Sequence, residues 1–225
     1  MNPVAMTLVA RPSEPTELDA RTHAIKNCAS VILILASTME PHVDPAARQR
    51  VTQLVNASRR LRELVTRHAH PCDGVREDVR IADVVQLVVD RLGPQAETSG
   101  VRLAIESAGG TLHGDFAELV EALYNVGSNA LYASPPGSTV RITTRLSADG
   151  DHEWSVEDSG CGIPASVMPR LGTVGVTTRA EGTGLGLSLA LQAITRHEGV
   201  MHVESERGAG TMVMIWLPGK PTSQA

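Results

Sequence analysis

The 225 residues carry a formal net charge of −5, and aromatic side chains make up only 2% of them. An acidic chain with so few aromatic rings lacks the basic surface and the stacking platforms with which proteins bind nucleic acids. Hydrophobic residues at 42% and charged residues at 20% are the balance of a folded protein with an aliphatic core. Composition therefore excludes a nucleic-acid-binding module and a wholly disordered chain.

The cysteines of the sequence are Cys28, Cys72 and Cys161. Their wide spacing, with no CxxC pair, argues against a disulfide framework and against a structural zinc site. No stretch approaches the roughly 18 apolar residues of a membrane-spanning helix, and the amino terminus lacks the basic start of a signal peptide. We therefore expect a cytoplasmic protein that binds neither membrane nor nucleic acid.

The amino-terminal third is predicted to be a tail followed by two helices. Residues 1–15 contain three prolines and little periodicity, which predicts a flexible tail. Over residues 17–39, apolar side chains recur at steps of three and four, and this pattern predicts a helix with one buried stripe. A proline turn at residues 41–45 ends that helix, and a second amphipathic helix follows to about residue 68.

A helical hairpin over residues 16–70 cannot enclose a core by itself. The simplest closure is a four-helix bundle formed by two chains, so a homodimer is predicted. One face of the second helix is rich in arginine, and it is either a solvated surface or a surface for an acidic partner. The arginines on that face are Arg48, Arg50, Arg59, Arg60, Arg62 and Arg67.

Residues 70–74 contain a proline and a glycine, and they are predicted to separate the hairpin from a second domain of residues 75–219. That domain combines predicted helices and strands in an α+β order, ahead of a short tail at residues 220–225. Its helices are predicted at 81–92, 116–132 and 185–198. Its strands are predicted at 101–105, 139–147, 152–157, 201–206 and 211–217.

A row of polar side chains on the helix predicted at 116–132 is the first feature that points to chemistry. Glu121, Asn125 and Asn129 are spaced four residues apart and therefore line one face of the helix. Polar groups on an otherwise apolar helix cost stability unless each has a partner, and oxygen donors in such a row suit Mg²⁺. The alternative is that all three are hydrogen-bonded surface side chains.

Two glycine-rich segments follow. Asp158, at the end of a predicted strand, can accept a hydrogen bond from an exocyclic amine, and Gly160 and Gly162 let the backbone approach a planar ring. The glycines of residues 182–186 open a predicted helix, where backbone N–H groups form a site for phosphate. Taken alone, each segment is equally consistent with an ordinary glycine turn.

In this order the three features resemble the nucleotide-binding boxes of the GHKL ATPase superfamily, to which histidine kinases, gyrase B and MutL belong. The closing pattern from Val203 to Pro218 is similar to that of histidine kinase catalytic domains in particular. The resemblance covers residues 75–218 and implies an α/β sandwich of the Bergerat type that binds ATP and Mg²⁺.

The resemblance also implies roles for single residues. Asn129 would ligate Mg²⁺ with help from Asn125, and Glu121 would occupy the position of the catalytic acid. Asp158 would bind the amino group of adenine, with the two glycines of its loop beside the ring. The lid and the phosphate contacts would come from Arg179, Gly182, Thr183, Gly184, Leu185 and Gly186.

The amino-terminal hairpin resembles the same family. In the segment His23-Ala-Ile-Lys-Asn27, the first and last residues match the H-box of the dimerisation and phosphotransfer domain, whose histidine accepts the γ-phosphoryl group of ATP. Ala24 departs from the acid that usually follows this histidine, and Asp19, one helical turn earlier, is the candidate substitute. The aromatic box that usually precedes the lid glycines is absent.

The resemblance therefore implies a histidine kinase that is phosphorylated on His23 and passes the group to an aspartate of a separate response regulator. Asn27 would support dephosphorylation of that regulator. Because no sensor or receiver domain is predicted, a separate sensory protein is expected to supply the input. Two alternatives stay open: a degenerate scaffold or phosphotransferase, suggested by Ala24, and a GHKL serine kinase of the anti-sigma-factor kind.

Overall fold

The computed structural model describes residues 3–8, 76–173 and 186–219. The chain divides into two compact units, one of Met1–Pro12 with Val75–Ala225 and one of Ser13–Gly74. The predicted hairpin lies outside the described residues. So do the predicted site residues His23, Asn27, Arg179, Gly182, Thr183, Gly184 and Leu185.

The described part of the first unit contains strands, three α-helices and one 3₁₀ turn. The strands are β1 Val4–Leu8, β2 Glu77–Arg80, β3 Arg102–Ser107, β4 Thr111–Gly114, β5 Thr139–Leu146, β6 His152–Asp158, β7 Val200–Glu206 and β8 Gly210–Leu217. The helices are α1 Ile81–Ser99, α2 Phe116–Ala133 and α3 Gly186–Arg196, and the 3₁₀ turn is Met168–Arg170. None of these helices is long and apolar enough to cross a membrane.

Six strands form one mixed sheet in the order β1-β7-β8-β6-β5-β3. Strands β3 and β5 are parallel, and all other neighbours in this sheet are antiparallel. Buried and more exposed residues alternate along β6 and β7, so one face of the sheet supplies the core, and the helices pack against it. The unit is an α/β sandwich, as the sequence predicts.

Helix α2 crosses the middle of this sandwich and ends within one residue of the predicted boundary. The Asp115 carboxylate caps its amino terminus by accepting a hydrogen bond from the Glu118 N–H at 3.1 Å. The apolar stripe of the helix is buried in the core, which leaves its polar row only half-buried. The buried side is formed by Leu119, Val120, Ala122, Leu123, Val126, Gly127, Ala130 and Leu131.

The prediction of a flexible tail over residues 1–15 is wrong for residues 4–8. Val4–Leu8 forms β1, an edge strand that pairs antiparallel with β7. Leu8 is 4% exposed and belongs to the core, and the Thr7 hydroxyl lies 2.9 Å from Nδ1 of His202. Nothing within this five-residue segment distinguishes it from a tail, because its partner strand follows almost 200 residues later in the sequence.

Helix α1 continues beyond the predicted end at residue 92 and runs to Ser99, with Pro94 inside it. Proline removes one helical hydrogen bond and usually ends or kinks a helix. Leu92 before the proline and Ala96 after it are both buried in the core. Burial on both sides of Pro94 outweighs the lost bond, and the helix ends instead at Gly100 in a left-handed conformation.

The paired strands β2 and β4 are absent from the sequence prediction. Each is four residues long and buries a single large apolar side chain, Val79 in β2 and Leu112 in β4. With one large buried side chain each, four-residue strands are too short for an apolar alternation to be detected. Together with the Ile81 N–H, which donates to the carbonyl of Gly110, this pair sets the start of α1.

Candidate functional site

The predicted site residues that the structure describes come from three places: the end of β6, the half of α2 that carries the asparagines, and the start of α3. Asp158 is the last residue of β6 and lies on the buried side of the sheet, with 8% of its surface exposed. A carboxylate in such a position needs specific partners, since an unpaired buried charge is costly.

The Asp158 carboxylate accepts a hydrogen bond from the Gly160 N–H at 2.8 Å, and the Thr211 backbone also stabilises it. Burial raises the pKa of Asp158 above its usual value, and these backbone hydrogen bonds oppose the rise. An ionised carboxylate has about four acceptor positions, so the group retains capacity for an outside donor such as an exocyclic amine. Its chemistry is that of a buried hydrogen-bond acceptor.

Gly160 is required by a close approach between the loop after β6 and the end of α2. A Cβ atom at Gly160 would lie 2.5 Å from the Ala133 carbonyl oxygen and 2.8 Å from Oδ1 of Asp158. The same Ala133 oxygen accepts a hydrogen bond from the Cys161 N–H at 3.3 Å. The loop is therefore fixed against α2 through backbone contacts that no side chain at Gly160 would permit.

Gly162 connects the other side of this loop to the turn between β7 and β8. Its φ is +65°, and a Cβ atom there would lie 2.1 Å from the carbonyl oxygen of Glu206. The Gly208 N–H in the same turn donates to the Cys161 carbonyl at 2.9 Å. The loop is thus held between α2 and the β7–β8 turn.

Ser205 on β7 supports this loop and is not among the predicted site residues. Its hydroxyl accepts a hydrogen bond from the Ile163 N–H at 2.8 Å and donates to the Gly210 carbonyl at 2.9 Å. It also lies 3.0 Å from the Thr211 hydroxyl. Ser205 is 3% exposed. In the sequence, it could have been found as a polar residue at a buried position of an alternating strand.

Asn125 on α2 faces the first residue of α3. A Cβ atom at Gly186 would lie 3.2 Å from the Asn125 amide oxygen, so the Asn125 side chain lies close to the Gly186 backbone. This juxtaposition brings the polar row of α2 next to the start of a helix whose preceding residues are the glycine-rich segment 182–185. An amide oxygen beside a helix amino terminus is an arrangement that suits a phosphate-bound cation.

Residues 114–221 match the family model described as histidine kinase-, DNA gyrase B-, and HSP90-like ATPase. This range contains α2, Asp158 with its glycine loop, and α3. The sequence is also 33% identical to sporulation kinase A of Bacillus subtilis over 150 residues, which are 66% of this chain and 25% of that protein. Residues 114–221 therefore form a domain of this ATPase family.

A second relative is sporulation kinase E of Bacillus subtilis, 26% identical over 208 residues, or 90% of this chain and 28% of that protein. The chain spans about a quarter of the length of these curated relatives. Its fold is shared with the crystal structure of full-length ShkA in complex with AMPPNP, at a TM-score of 0.68 and 24% identity. That match covers 92% of this chain and 46% of the ShkA chain.

Glu121, the predicted catalytic acid, has a partner on α1. Its Oε1 atom lies 2.8 Å from Nη1 of Arg91, and the Arg91 guanidinium also stacks on the ring of Tyr124, 4.0 Å from its centroid. The catalytic role of Glu121 stays a prediction. The observed ion pair ties α2 to α1, a role that the sequence did not predict for this residue.

The donors available for a metal on α2 are amide oxygens. The described ranges contain no group of three or more histidine, cysteine, aspartate or glutamate side chains that would hold a metal ion by itself. Asn125 and Asn129 are half-buried on one side of α2. Mg²⁺ is commonly held by one or two protein oxygens together with phosphate and water, so this donor set fits Mg²⁺ only in company with a nucleotide.

Proposed function

We propose that this chain is an ATP-dependent protein histidine kinase that is phosphorylated on His23. The observation that carries the proposal is the buried Asp158 acceptor with its clamped glycine loop, which lies within the residues that match an ATPase family. The relatives are named as kinases, and the ShkA structure that shares the fold is a complex with AMPPNP, an analogue of ATP.

Nucleotide recognition follows from the chemistry of the site. Asp158 accepts a hydrogen bond from the exocyclic amine of adenine, and Gly160 and Gly162 keep its loop free of side chains beside the ring. The phosphates lie near the start of α3, where backbone N–H groups and the helix dipole favour negative charge. Their contacts would come from Arg179, Gly182, Thr183, Gly184, Leu185 and Gly186.

Asn129, with help from Asn125, is the proposed ligand set for Mg²⁺. When bound, the ion neutralises negative charge on the phosphates of ATP. The protein supplies amide oxygens, which orient the ion without adding further negative charge beside the phosphates. Glu121 is the proposed catalytic acid of the same helix.

The proposed transfer joins a ring nitrogen of His23 to the γ-phosphorus while the bond from that phosphorus to the bridging oxygen of ADP breaks. The ring proton passes to a base, for which Asp19 is the proposed residue, since Ala24 follows the histidine. The phosphoryl group is then relayed to an aspartate of a separate response regulator, whose dephosphorylation Asn27 supports. The hairpin of residues 16–70 would form the homodimer, and the protein would act in the cytoplasm with a separate sensory partner.

Incubation with γ-labelled ATP tests this function. We expect acid-labile, base-stable label on the wild-type chain, and none on His23→Gln, because the phosphoacceptor nitrogen is removed. His68→Gln is the matched control and should be labelled like the wild type. Base-labile label would favour the serine kinase, and ATP binding without any label would favour the scaffold.

Removing the proposed metal ligand should weaken the effect of Mg²⁺ on ATP binding. In Asn129→Ala, we expect the tightening of ATP binding by Mg²⁺ to fall about tenfold, since one of few protein oxygens is lost. Affinity measured by calorimetry without metal should change little. Ser128→Ala, on the same helix, is the control, and an equal loss with and without metal in Asn129→Ala would contradict the assignment.

A further inference from the structure

A buried histidine outside the nucleotide loop joins the end of α3 to the start of α2. The Asp115 N–H, at the N-cap of α2, donates to Nε2 of His197 at 2.9 Å. Since Nε2 is the acceptor there, the ring proton is on Nδ1, which donates to the Ala193 carbonyl at 2.7 Å. Both ring nitrogens are used, and the bond from the Asp115 N–H requires the neutral ring, because a protonated Nε2 cannot accept it.

The His197 ring is closely packed against the backbone of Gly114. A Cβ atom at Gly114, the last residue of β4, would lie 2.6 Å from Cδ2 of His197. His197 is 5% exposed, and its ring is enclosed between the β4–α2 junction and α3. Loss of either hydrogen bond therefore leaves an unsatisfied polar group inside the protein, at substantial cost.

Charged groups from three segments surround this contact. Glu118 of α2 places Oε2 3.9 Å from Nδ1 of His197, and its Oε1 pairs with Nη2 of Arg196 at 2.8 Å. Arg76, just before β2, donates to the Arg196 carbonyl at the end of α3. The Asp115 carboxylate faces the Glu118 N–H, and β4 contributes the uncharged Gly114.

Helix α3 therefore touches α2 at both of its ends. Its first residue, Gly186, lies beside Asn125 in the proposed nucleotide site, and the residue after its last turn, His197, is bound to Asp115. Ten residues of α2 separate Asn125 from Asp115, which is about 15 Å along a helix. A rigid helix released at one end changes its position at the other.

We propose that His197 is a positioning residue for the nucleotide site, and that proton uptake by its ring releases α3 from α2 and weakens ATP binding. A second proton would be placed on Nε2, opposite the Asp115 N–H, and two donors cannot bond to each other. This inference rests on the proposed function, because it assumes that ATP binds where α3 begins.

The pH range follows from the direction of the shift. Burial lowers the pKa of His197 from its usual value near 6.5; the Arg76 and Arg196 charges act in the same direction, whereas the Ala193 bond and Glu118 oppose it. A histidine with a lowered pKa contributes its stabilisation fully above about pH 6.5. The contribution is lost as pH falls from there through the pKa of the folded protein.

The test is the dissociation constant for ATP of the full chain between pH 8 and pH 5, for the wild type, His197→Gln and the control His202→Gln. A glutamine side chain at position 197 can accept from the Asp115 N–H and donate to the Ala193 carbonyl without titrating. The affinity of His197→Gln for ATP at pH 8 should therefore be close to that of the wild type. On acidification the wild type and His202→Gln should lose about tenfold more affinity than His197→Gln. A tenfold loss corresponds to a difference of about one unit between the pKa of His197 in the free protein and that in the ATP complex. Titration of Asp158 is common to all three chains and cancels in this comparison.

Nuclear magnetic resonance of the wild-type imidazole gives a second measurement that needs no variant to fold. Because proton and ATP binding are reciprocally linked, ATP should shift the titration of His197 to lower pH. Identical pH profiles for wild type and His197→Gln, or a His197 titration that ATP does not move, would overturn the inference. Absence of ATP binding at pH 8 would overturn the proposed function itself, and the inference with it.

Discussion

Asp158→Ala is expected to lower the affinity for ATP about a hundredfold, because the hydrogen bonds that a buried charged group makes are worth roughly 1.5–3 kcal/mol. Asp158 is 8% exposed, so a water molecule in the space left by the alanine would not replace the charged acceptor. The amine of adenine would then lose its proposed acceptor, and the preference for adenine over guanine should fall as well. Isothermal calorimetry with ATP and GTP measures both the loss and the change in selectivity.

Asp149→Ala is the matched control, since Asp149 is exposed in the turn before β6, at the other end of that strand. It should bind ATP like the wild type. The pKa of Asp158 is raised by burial, and the ionised form is the better acceptor, so wild-type affinity should also fall as pH approaches that raised value. Unchanged ATP affinity in a folded Asp158→Ala chain would contradict the adenine pocket.

Gly162→Ala is expected to lower the free energy of unfolding of the first unit by about 2–4 kcal/mol, the sum of a left-handed backbone and an overpacked contact. The φ of +65° is unfavourable for alanine, and the new Cβ would lie 2.1 Å from the Glu206 carbonyl oxygen. To relieve this contact the loop must move away from the β7–β8 turn. ATP affinity should fall with it, because the same loop positions Asp158.

Gly208→Ala separates the two causes. Its φ is +84°, but nothing lies within 4 Å of the position that a Cβ would take. It should therefore lose only the backbone component, about 1 kcal/mol, and keep its ATP affinity. Tryptophan fluorescence follows this unit alone, since both tryptophans, Trp154 and Trp216, belong to it. Equal destabilisation by the two substitutions would show that the clash at Gly162 is relieved without cost.

Features carried by local pattern could be predicted from the sequence. The apolar spacing of α2 set both predicted helix ends to within a residue of the observed ones. The alternation along β6 predicts that Asp158 lies at a strand end, as observed. The order of the three polar and glycine features indicates the ATPase family without knowledge of the fold. These signals are local because helix and strand periods are written in neighbouring residues.

What depends on distant partners was decided only by the tertiary structure. Strand β1 exists because β7 offers it an edge, and α1 passes Pro94 because the core buries both sides of it. The sequence assigned no role to Ser205, which supports the loop after β6, or to His197, which ties α3 to α2. A serine or a histidine acquires such a role from the groups that burial places around it, and those groups come from elements far away in the chain.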